Sequence, residues 1–447
     1  MSHATLMHDI PPRRIESLSS GVRMAIAALI ILGAAAFAAA LMIDAPRAWR
    51  AYHFNWLYFT TLAQGGVILA VVVSIAKGMW SRPIRRIALA FSAFLPIAYL
   101  AVLPILFIGA EHIFPWIEHP VAGKDVWLNQ PFMVVRVLLG LGVLFGLSLV
   151  FAYTALRPDM EQLRPHVPPR LHGMYARFAR GWRGQEIEEF HAHKRLAVLA
   201  PITALLFALI IGMLTWDFVM SLEPYWFSTL IGPFVFMGGF LGGIMATAIV
   251  AIALRDRLGL HEWITLATLH DLGKLGFGFT VFWGYLFFSQ YIVIWYGLLP
   301  LEQSFVIHRF TPPFRIIAQL VGLLVFVIPF FGLMGVTAKR TPAIFVTFSS
   351  ISLLGLWLER YLLIYPSLWI DADSLPLGWQ EPGLLLLFAG LFLASIGWFL
   401  TRFPLFQVWQ PASELELQGI DLEQRYATGD LGGADSRPES RVLRDDS

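Results

Sequence analysis

The sequence predicts an all-α membrane protein that crosses the bilayer ten times. Of its 447 residues, 57% are hydrophobic and only 14% are charged, whereas soluble domains carry about 25% charged residues. The mean hydropathy of +0.67 is too apolar for a surface in water. Runs of about 20 apolar residues recur along the whole chain, and this is the length that a helix needs to cross the hydrocarbon core.

Ten runs of this kind follow one another along the chain. The first follows a basic segment, as in a signal peptide, but its apolar run of about 20 residues exceeds the roughly 7–15 of a signal-peptide core. We therefore expect it to remain as a membrane span. The predicted spans are residues 24–43, 54–76, 87–108, 131–155, 196–219, 226–252, 275–298, 314–336, 342–365 and 383–402.

The polar parts of the chain are short. Residues 1–23 precede the first span, a connection rich in proline and arginine covers 156–195, and residues 403–447 form a C-terminal tail. The tail carries nine acids against four arginines, which is typical of a disordered or docking segment. We expect the connection to lie along the membrane surface, where anionic headgroups attract arginine. The membrane domain is thus predicted to cover 24–402.

Lysine and arginine are divided unequally between the two sides of the predicted membrane domain. The connections on the side of the N-terminus hold 19 of them between Arg13 and Arg340, leaving aside Lys274 at the start of span seven, and the opposite connections hold four. Basic connections face the cytoplasm in multi-pass proteins. Both termini are therefore predicted to be cytoplasmic.

A short motif recurs between span two and span six. Residues 59–67 (FTTLAQGGV) and 236–244 (FMGGFLGGI) each contain adjacent glycines, at Gly65 and Gly66 and at Gly242 and Gly243. Small residues of this kind let membrane helices approach closely. An offset of four spans would relate two four-helix bundles, spans 2–5 and spans 6–9, flanked by spans 1 and 10.

Composition excludes several kinds of redox chemistry. The chain has no cysteine, so it cannot hold a cysteine-ligated iron–sulfur cluster, attach a c-type haem or form a disulfide. Of its 12 histidines, only His270 is predicted within a span, whereas a membrane b-type haem normally needs two facing histidines. The net charge of +2 gives no concentrated basic surface for nucleic acid. We expect no metal and no redox centre in the chain itself.

One face of span seven is polar along most of its length. His270, Lys274, Tyr285 and Ser289 fall within an arc of about 100°, with Asp271 at its edge. Groups that accept and donate protons at successive depths are what a proton route requires. The gap from Lys274 to Tyr285 is roughly 16 Å, so water or another helix would have to complete the route. Helix capping and a snorkelling lysine at the membrane surface are the alternative.

A second group of charged residues lies towards the opposite side. A charge in lipid costs about 3 kcal/mol on insertion scales, so each one needs a partner or a function. Glu359 and Arg360 point about 100° apart on span nine, and we expect each to pair with another helix. Contact with headgroups, in an aromatic belt that includes Trp216, is the alternative near the surface. The candidates are Arg136, Asp217, Glu223, Glu359 and Arg360.

Two stretches of the sequence are distinctive. They are residues 216–229, WDFVMSLEPYWFST, and residues 270–296, HDLGKLGFGFTVFWGYLFFSQYIVIWY. Together with the ten-span layout, they resemble a membrane subunit of bacterial alternative complex III, a quinol:cytochrome c oxidoreductase. The subunit is the second polysulfide-reductase (NrfD)-like one, also called the F subunit or quinone-binding subunit 2. The resemblance implies two four-helix bundles with two flanking helices.

The resemblance also implies a place in electron transport in the bacterial cytoplasmic membrane. Such a complex oxidises menaquinol or ubiquinol and reduces a periplasmic acceptor. Its iron–sulfur clusters and c-type haems lie in partner subunits. The complex also contains a sister NrfD-like membrane subunit, and lipids surround its membrane part. A terminal oxidase is a further candidate partner. The sister subunit is the better candidate for quinol oxidation, so we expect the present chain to handle protons.

A secondary transporter and a purely structural membrane anchor are the alternative functions. For a subunit of the redox complex, two sets of residues are the candidates for function. Arg136, Trp216 and Arg360 are the candidates for a quinone contact or an ion pair. The proton-transfer candidates are His270, Asp271, Lys274, Tyr285 and Ser289 on span seven, and Asp217, Glu223 and Glu359 towards the opposite side.

Overall fold

The computed structural model describes residues 14–370 and 373–409. Within these residues there is no strand, and ten helices are long and apolar enough to cross a membrane, which confirms the predicted fold class. We number these helices α1 to α10. They are Ser20–Ile43, Ala45–Ile75, Met79–Phe107, Gln130–His166, Gln185–Leu222, Ile231–Arg257, Leu266–Gly297, Arg315–Met334, Pro342–Leu368 and Gln380–Leu400.

The helices alternate in direction, so the array has two ends. We call the end at which α1 begins the N-side, and the end with the turn between α1 and α2 the far side. The Asp44 carboxylate at this turn caps α2 by accepting a hydrogen bond from Arg47 N at 3.1 Å, which satisfies a free N–H group at the helix start. Short helices Ala110–Ile113, Pro115–Glu118 and Pro300–Phe310 lie on the far side, and Pro169–Phe178 and Val336–Arg340 on the N-side.

Several helices extend well beyond their predicted limits, including α7, which begins at Leu266 rather than at residue 275. α2 begins at Ala45 rather than at residue 54, α4 continues past residue 155, and α5 begins at Gln185 rather than at residue 196. The predicted connection from 156 to 195 is therefore mostly helical, and only a short loop and the helix Pro169–Phe178 join α4 to α5. Hydropathy misses these ends because they hold charged residues with partners on other helices. Arg157 and Glu188, for example, form an ion pair at 2.7 Å.

The helix Pro169–Phe178 is held against the membrane domain rather than free in solvent. Its Tyr175 is buried, and the Tyr175 hydroxyl donates a hydrogen bond to Arg402 O at 3.0 Å, at the end of α10. Burial raises the pKa of the Tyr175 phenol to about 12, so the hydroxyl remains a donor at neutral pH. Arg170 reaches Glu16 O at 3.0 Å, before α1. The helix thus joins α4, α10 and the start of the chain.

The two glycine motifs recognised in the sequence lie against each other where α2 crosses α6. A Cβ atom on Gly65 would lie 2.0 Å from Gly239 O, and one on Gly243 would lie 2.3 Å from Gly65 C. The backbones therefore touch, as small residues permit in membrane helices. Almost every residue of α2 from Ala51 to Val71 is buried by its neighbours. The crossing of α2 and α6 is the centre of the fold.

Other contacts surround this crossing. α2 also contacts α3, α5, α9 and α10, while α6 contacts α5, α7 and α9. α1 packs mainly against α10, where Gly33 lies on Leu387 and Gly390 lies on Ile30. The division into two four-helix bundles with two flanking helices stays a prediction.

A methyl group at the helix crossing is expected to destabilise the protein. Gly65→Ala should lower the free energy of unfolding by about 1–3 kcal/mol, because the α2 and α6 backbones must separate to admit it. Gly146 in α4 is the matched control, since nothing lies within 4 Å of a Cβ placed there. Gly146→Ala should be neutral or stabilise by about 0.5–1 kcal/mol. Thermal denaturation of both variants in mild detergent tests this, and equal midpoints would contradict it.

The first part of the predicted polar tail is buried instead of exposed. Residues 403–409 follow α10 and fold back against the N-side ends of α3, α4 and α5, and Leu405, Phe406 and Trp409 have at most 2% of their surface exposed. The average composition of 403–447 does not reveal this apolar segment, because all the acids of the tail lie after residue 409. The membrane domain therefore extends to residue 409, and the remainder of the tail, 410–447, lies outside the described residues, as do residues 1–13.

Candidate functional site

The polar face of α7 lies on the outer surface of the described chain. Tyr285 is 61% exposed, Ser289 and His270 are half-buried, and Lys274 is exposed and pairs with Asp271 at 2.7 Å, one turn away on the same helix. No other helix of the described residues covers this face. A proton route along this face would need a partner subunit to cover it or water molecules at the lipid-facing surface. The role of these five residues stays a prediction.

The far-side acids, in contrast, are buried and each is paired with an arginine. Asp217 near the end of α5 receives Arg136 Nη2 at 2.6 Å and Nε at 2.9 Å from the first turns of α4. The ring of Trp127 covers the guanidinium at 3.9 Å. Trp216 stays 36% exposed beside Trp127. Two residues proposed separately from the sequence thus form one bidentate ion pair, which supports the ion-pair interpretation of Arg136.

Glu223 lies in the turn between α5 and α6 and is paired from two directions. Arg309 of the helix Pro300–Phe310 donates to Glu223 Oε1 at 3.0 Å, and Ser367 Oγ at the end of α9 donates to the same oxygen at 2.6 Å. The guanidinium lies 3.2 Å from the Phe305 ring centre and is fully buried. Burial lowers the pKa of Arg309 to about 10, partly offset by Glu223, so the guanidinium stays charged at neutral pH.

Glu359 and Arg360 form an ion pair with each other, so the expectation that each pairs across helices was wrong. Arg360 Nη1 lies 2.5 Å from Glu359 Oε1, and Arg360 Nη2 donates to Val235 O of α6 at 2.8 Å. The long arginine side chain folds back and overcomes the separation of about 100° between neighbours. Gly238 makes the room, since a Cβ there would lie 3.2 Å from Arg360 Nη2 and 3.3 Å from Glu359 Oε2.

Beside Glu359 lies a small cavity that is partly open to the surface beside Tyr291 and Phe310. It has a volume of about 70 Å³ and lies between α6, α7, α8, α9 and the helix Pro300–Phe310. Its polar lining consists of Glu359, Trp283, Gln290, Tyr291 and Arg309. Glu359 Oε2 and Arg309 Nε are buried without a hydrogen-bond partner among the described residues. The cavity therefore connects the Glu359–Arg360 pair to the Glu223–Arg309 pair.

The volume of this cavity decides what it can hold. A water molecule occupies about 30 Å³ in the liquid and is stable where it finds two to four polar partners. Sites for organic ligands are about 300–1,000 Å³. A cavity of about 70 Å³ with unpartnered carboxylate and guanidinium atoms suits one or two water molecules. It is too small for a quinone ring.

Further buried hydroxyl groups continue from Glu359 along α9 towards the N-side. Ser352 and Ser349 are both fully buried. On a helical wheel they lie about 20° and 80° from Glu359, at about 10 and 15 Å along the axis. Ser349 Oγ contacts Met245 Sδ of α6 at 3.5 Å, and Ser352 Oγ has no partner among the described residues. α9 therefore carries a row of buried polar side chains, Glu359, Ser352 and Ser349. The sequence interpretation had singled out a polar face on α7.

Further buried acids were missed in the sequence, and two of them, Glu381 and Asp159, are completely buried. Glu381 at the start of α10 accepts from Arg47 at 2.8 Å and from the Tyr365 hydroxyl at 2.8 Å. Asp159 near the end of α4 pairs with Arg86 of α3. Both lie close to the predicted limits of spans, where a charge is ordinarily exposed. The sequence offered one weak signal for these pairs: in each, an arginine and an acid lie near the ends of predicted spans on the same side of the membrane.

The prediction that only His270 lies within a span was wrong. His53 belongs to α2 and is fully buried, and the rings of Phe218 and Phe114 lie 5.2 and 6.0 Å from its ring. Neither of its ring nitrogens makes a hydrogen bond among the described residues. It was assigned to a connection because α2 begins earlier than hydropathy indicates. His53 lies in the far-side half and His270 at the N-side, so the two do not face each other.

No protein-family model matches this chain, and no curated protein matches it. The resemblance to alternative complex III therefore depends on the residues quoted from the sequence.

Proposed function

We propose that this chain is a membrane subunit of a bacterial quinol:acceptor oxidoreductase complex, and that it transfers protons rather than electrons. Two sequence stretches, 216–229 and 270–296, support membership of an alternative complex III. Without cysteine, the chain depends on partner subunits for iron–sulfur clusters and c-type haem. The basic N-side would face the cytoplasm, with both termini there, and the far side would face the periplasm.

The observation that carries the proton-transfer proposal is the water-sized cavity at Glu359. A buried carboxylate next to water can take up and release a proton, and intramembrane acids of this kind are typical of proton relays. Arg309 lines the cavity and Arg360 pairs with Glu359, so a proton arriving there meets a carboxylate near two fixed cations. Glu223, Arg309 and Ser367 lie between the cavity and the far-side surface. The order Glu359, cavity water, Glu223 gives protons an exit on the far side.

A secondary transporter is the second candidate, and one feature favours it. α8 contains a π-helical segment, Gly322–Val327, about midway across the membrane, and irregular helices at this depth are typical of transporter binding sites. The acids that a transporter would use for coupling are already paired with arginines. We therefore favour the complex subunit.

The assembly part of the proposal is tested by purification in mild detergent. We expect c-type haem, iron and quinol:cytochrome c reductase activity to co-purify with the chain. A colourless chain that purifies alone would contradict membership of a redox complex. Solute flux in vesicles would then test the transporter.

The proton-transfer part is tested by Glu359→Gln in the assembled complex. The amide keeps the size and the contact with Arg360 but cannot carry a proton. We therefore expect the ratio of protons released on the far side to electrons transferred to fall, while the protons of quinol oxidation leave by another path. Asp256→Asn is the control, because Asp256 is an exposed acid at the N-side end of α6 that pairs with Arg255 at 3.0 Å, and it should leave the ratio unchanged. Proton release measured with a pH-sensitive dye during quinol oxidation distinguishes them. A normal ratio in Glu359→Gln would contradict the route through α9.

A further inference from the structure

An open apolar groove lies on the membrane-facing side of the N-side half. It has a volume of about 560 Å³ and runs between α3, α4, α10 and the helix Pro169–Phe178. Leu149 and Leu156 line it along α4, which corresponds to about 10 Å of helix. Phe178 and Phe403 close its N-side end. The groove therefore follows α4 for about two helical turns, which is the direction that an acyl chain in one leaflet would take.

Two of the polar side chains in the groove are satisfied elsewhere. Ser395 Oγ donates to Phe392 O at 2.8 Å within α10. The Tyr153 hydroxyl receives Arg157 Nη1 at 3.0 Å. Apart from Ser92 and the edge of Trp398, the rest of the lining is apolar. The groove thus presents mainly hydrocarbon to its occupant, which fits an alkyl chain.

The N-side rim of the groove is basic. Arg402 lies 4.8 Å from the ring of Trp398, which lines the groove. Arg177 and Arg180 flank the lining residue Phe178 and are exposed. In the part of the chain that the structure describes, none of these three arginines forms an ion pair with a carboxylate. Glu188, at the start of α5, is held by Arg157 at 2.7 Å.

We propose that this groove binds an anionic phospholipid, with one acyl chain between α4 and α10 and the phosphate at Arg402, Arg177 and Arg180. An apolar cleft below a cluster of unpaired guanidinium groups matches the two ends of such a lipid, since basic pockets between membrane helices bind anionic headgroups. A quinone would fill the cleft but has no negative charge for the rim. Residues 410–447 carry nine acids and are too polar for an apolar cleft at membrane depth.

Native mass spectrometry of the full chain, reconstituted in phosphatidylcholine with a minor fraction of phosphatidylglycerol, tests the site. The native chain should retain phosphatidylglycerol selectively. Ala394→Phe should reduce this retention about tenfold, since the ring fills the groove at a half-buried alanine. Ala35→Phe is the matched control, because Ala35 is exposed on α1 away from the groove, and it should leave retention unchanged.

The rim is tested separately from the groove. Arg402→Ala should abolish the preference for phosphatidylglycerol while phosphatidylcholine is still retained, and Arg340→Ala, an exposed N-side arginine outside the rim, should not. Equal retention in Ala394→Phe and Ala35→Phe would overturn the proposal. So would an unchanged headgroup preference in Arg402→Ala, or extraction of quinone in place of phospholipid from the native chain.

Discussion

The Glu381→Ala variant is expected to lose about 3–5 kcal/mol of the free energy of unfolding, because it leaves the Arg47 guanidinium without its carboxylate at a largely buried site. Glu381 is completely buried and accepts four hydrogen bonds. They come from Arg47 Nε at 2.8 Å and Nη2 at 3.0 Å, from the Tyr365 hydroxyl at 2.8 Å and from Gly378 N at 2.7 Å. One carboxylate therefore ties the start of α10 to α2 and α9.

Glu118→Ala is the control for this variant. Glu118 is exposed on the same far side, and substitutions at such positions usually change stability by no more than about 0.5 kcal/mol. Denaturation in mixed detergent micelles, followed by tryptophan fluorescence, compares the two. The double variant Arg47→Ala with Glu381→Ala should be at least as stable as Glu381→Ala, since no guanidinium is orphaned. Equal losses in Glu118→Ala and Glu381→Ala would contradict the role of the pair.

The number of membrane helices could be predicted from the sequence because a hydrophobic span is a local property. Where a helix extends beyond its apolar run, the sequence fails. The first turns of α2 and the last turns of α4 contain Arg47, Arg157 and Asp159, and a hydropathy window scores these as loop. Their charges are neutralised by residues far along the chain: Arg47 and Glu381 are 334 positions apart. The predicted helix ends were therefore misplaced where charged side chains are stabilised by ion pairs between helices rather than by contact with water.

The candidate site shows the same limit. Asp217, Glu223 and Glu359 were recognised because an acid in an apolar run is costly, and all three prove to be buried. Their partners could not be assigned, since Arg136 is 81 positions from Asp217 and Arg309 is 86 positions from Glu223. The polar face of α7 is a different case, and its role stays a prediction. Periodicity shows that residues share a face, but only packing shows whether that face is turned inward, and α7 turns its polar face outward.

Asp159→Ala is expected to have an effect as large as Glu381→Ala, and to release the end of the membrane domain. Asp159 is completely buried and pairs with Arg86, so its loss leaves a buried guanidinium, at about 3–5 kcal/mol. Asp159 Oδ1 also accepts Val408 N at 3.2 Å and Trp409 N at 3.0 Å. The variant should therefore free residues 403–409 from α4 as well as destabilise the helices.

Limited trypsin digestion separates these two effects. In the native chain the bond after Arg402 should resist cleavage because Phe403 is buried, and in Asp159→Ala it should be cut to release 403–447. Glu161→Ala is the matched control two residues along α4, since Glu161 forms an exposed pair with Arg164 worth about 0–1 kcal/mol. Asp159→Asn keeps an acceptor for the Val408 and Trp409 N–H groups but removes the charge. Its rate of cleavage after Arg402 should lie between those of Glu161→Ala and Asp159→Ala. Protection of Arg402 in Asp159→Ala would mean that apolar burial of Leu405, Phe406 and Trp409 holds the segment without the carboxylate.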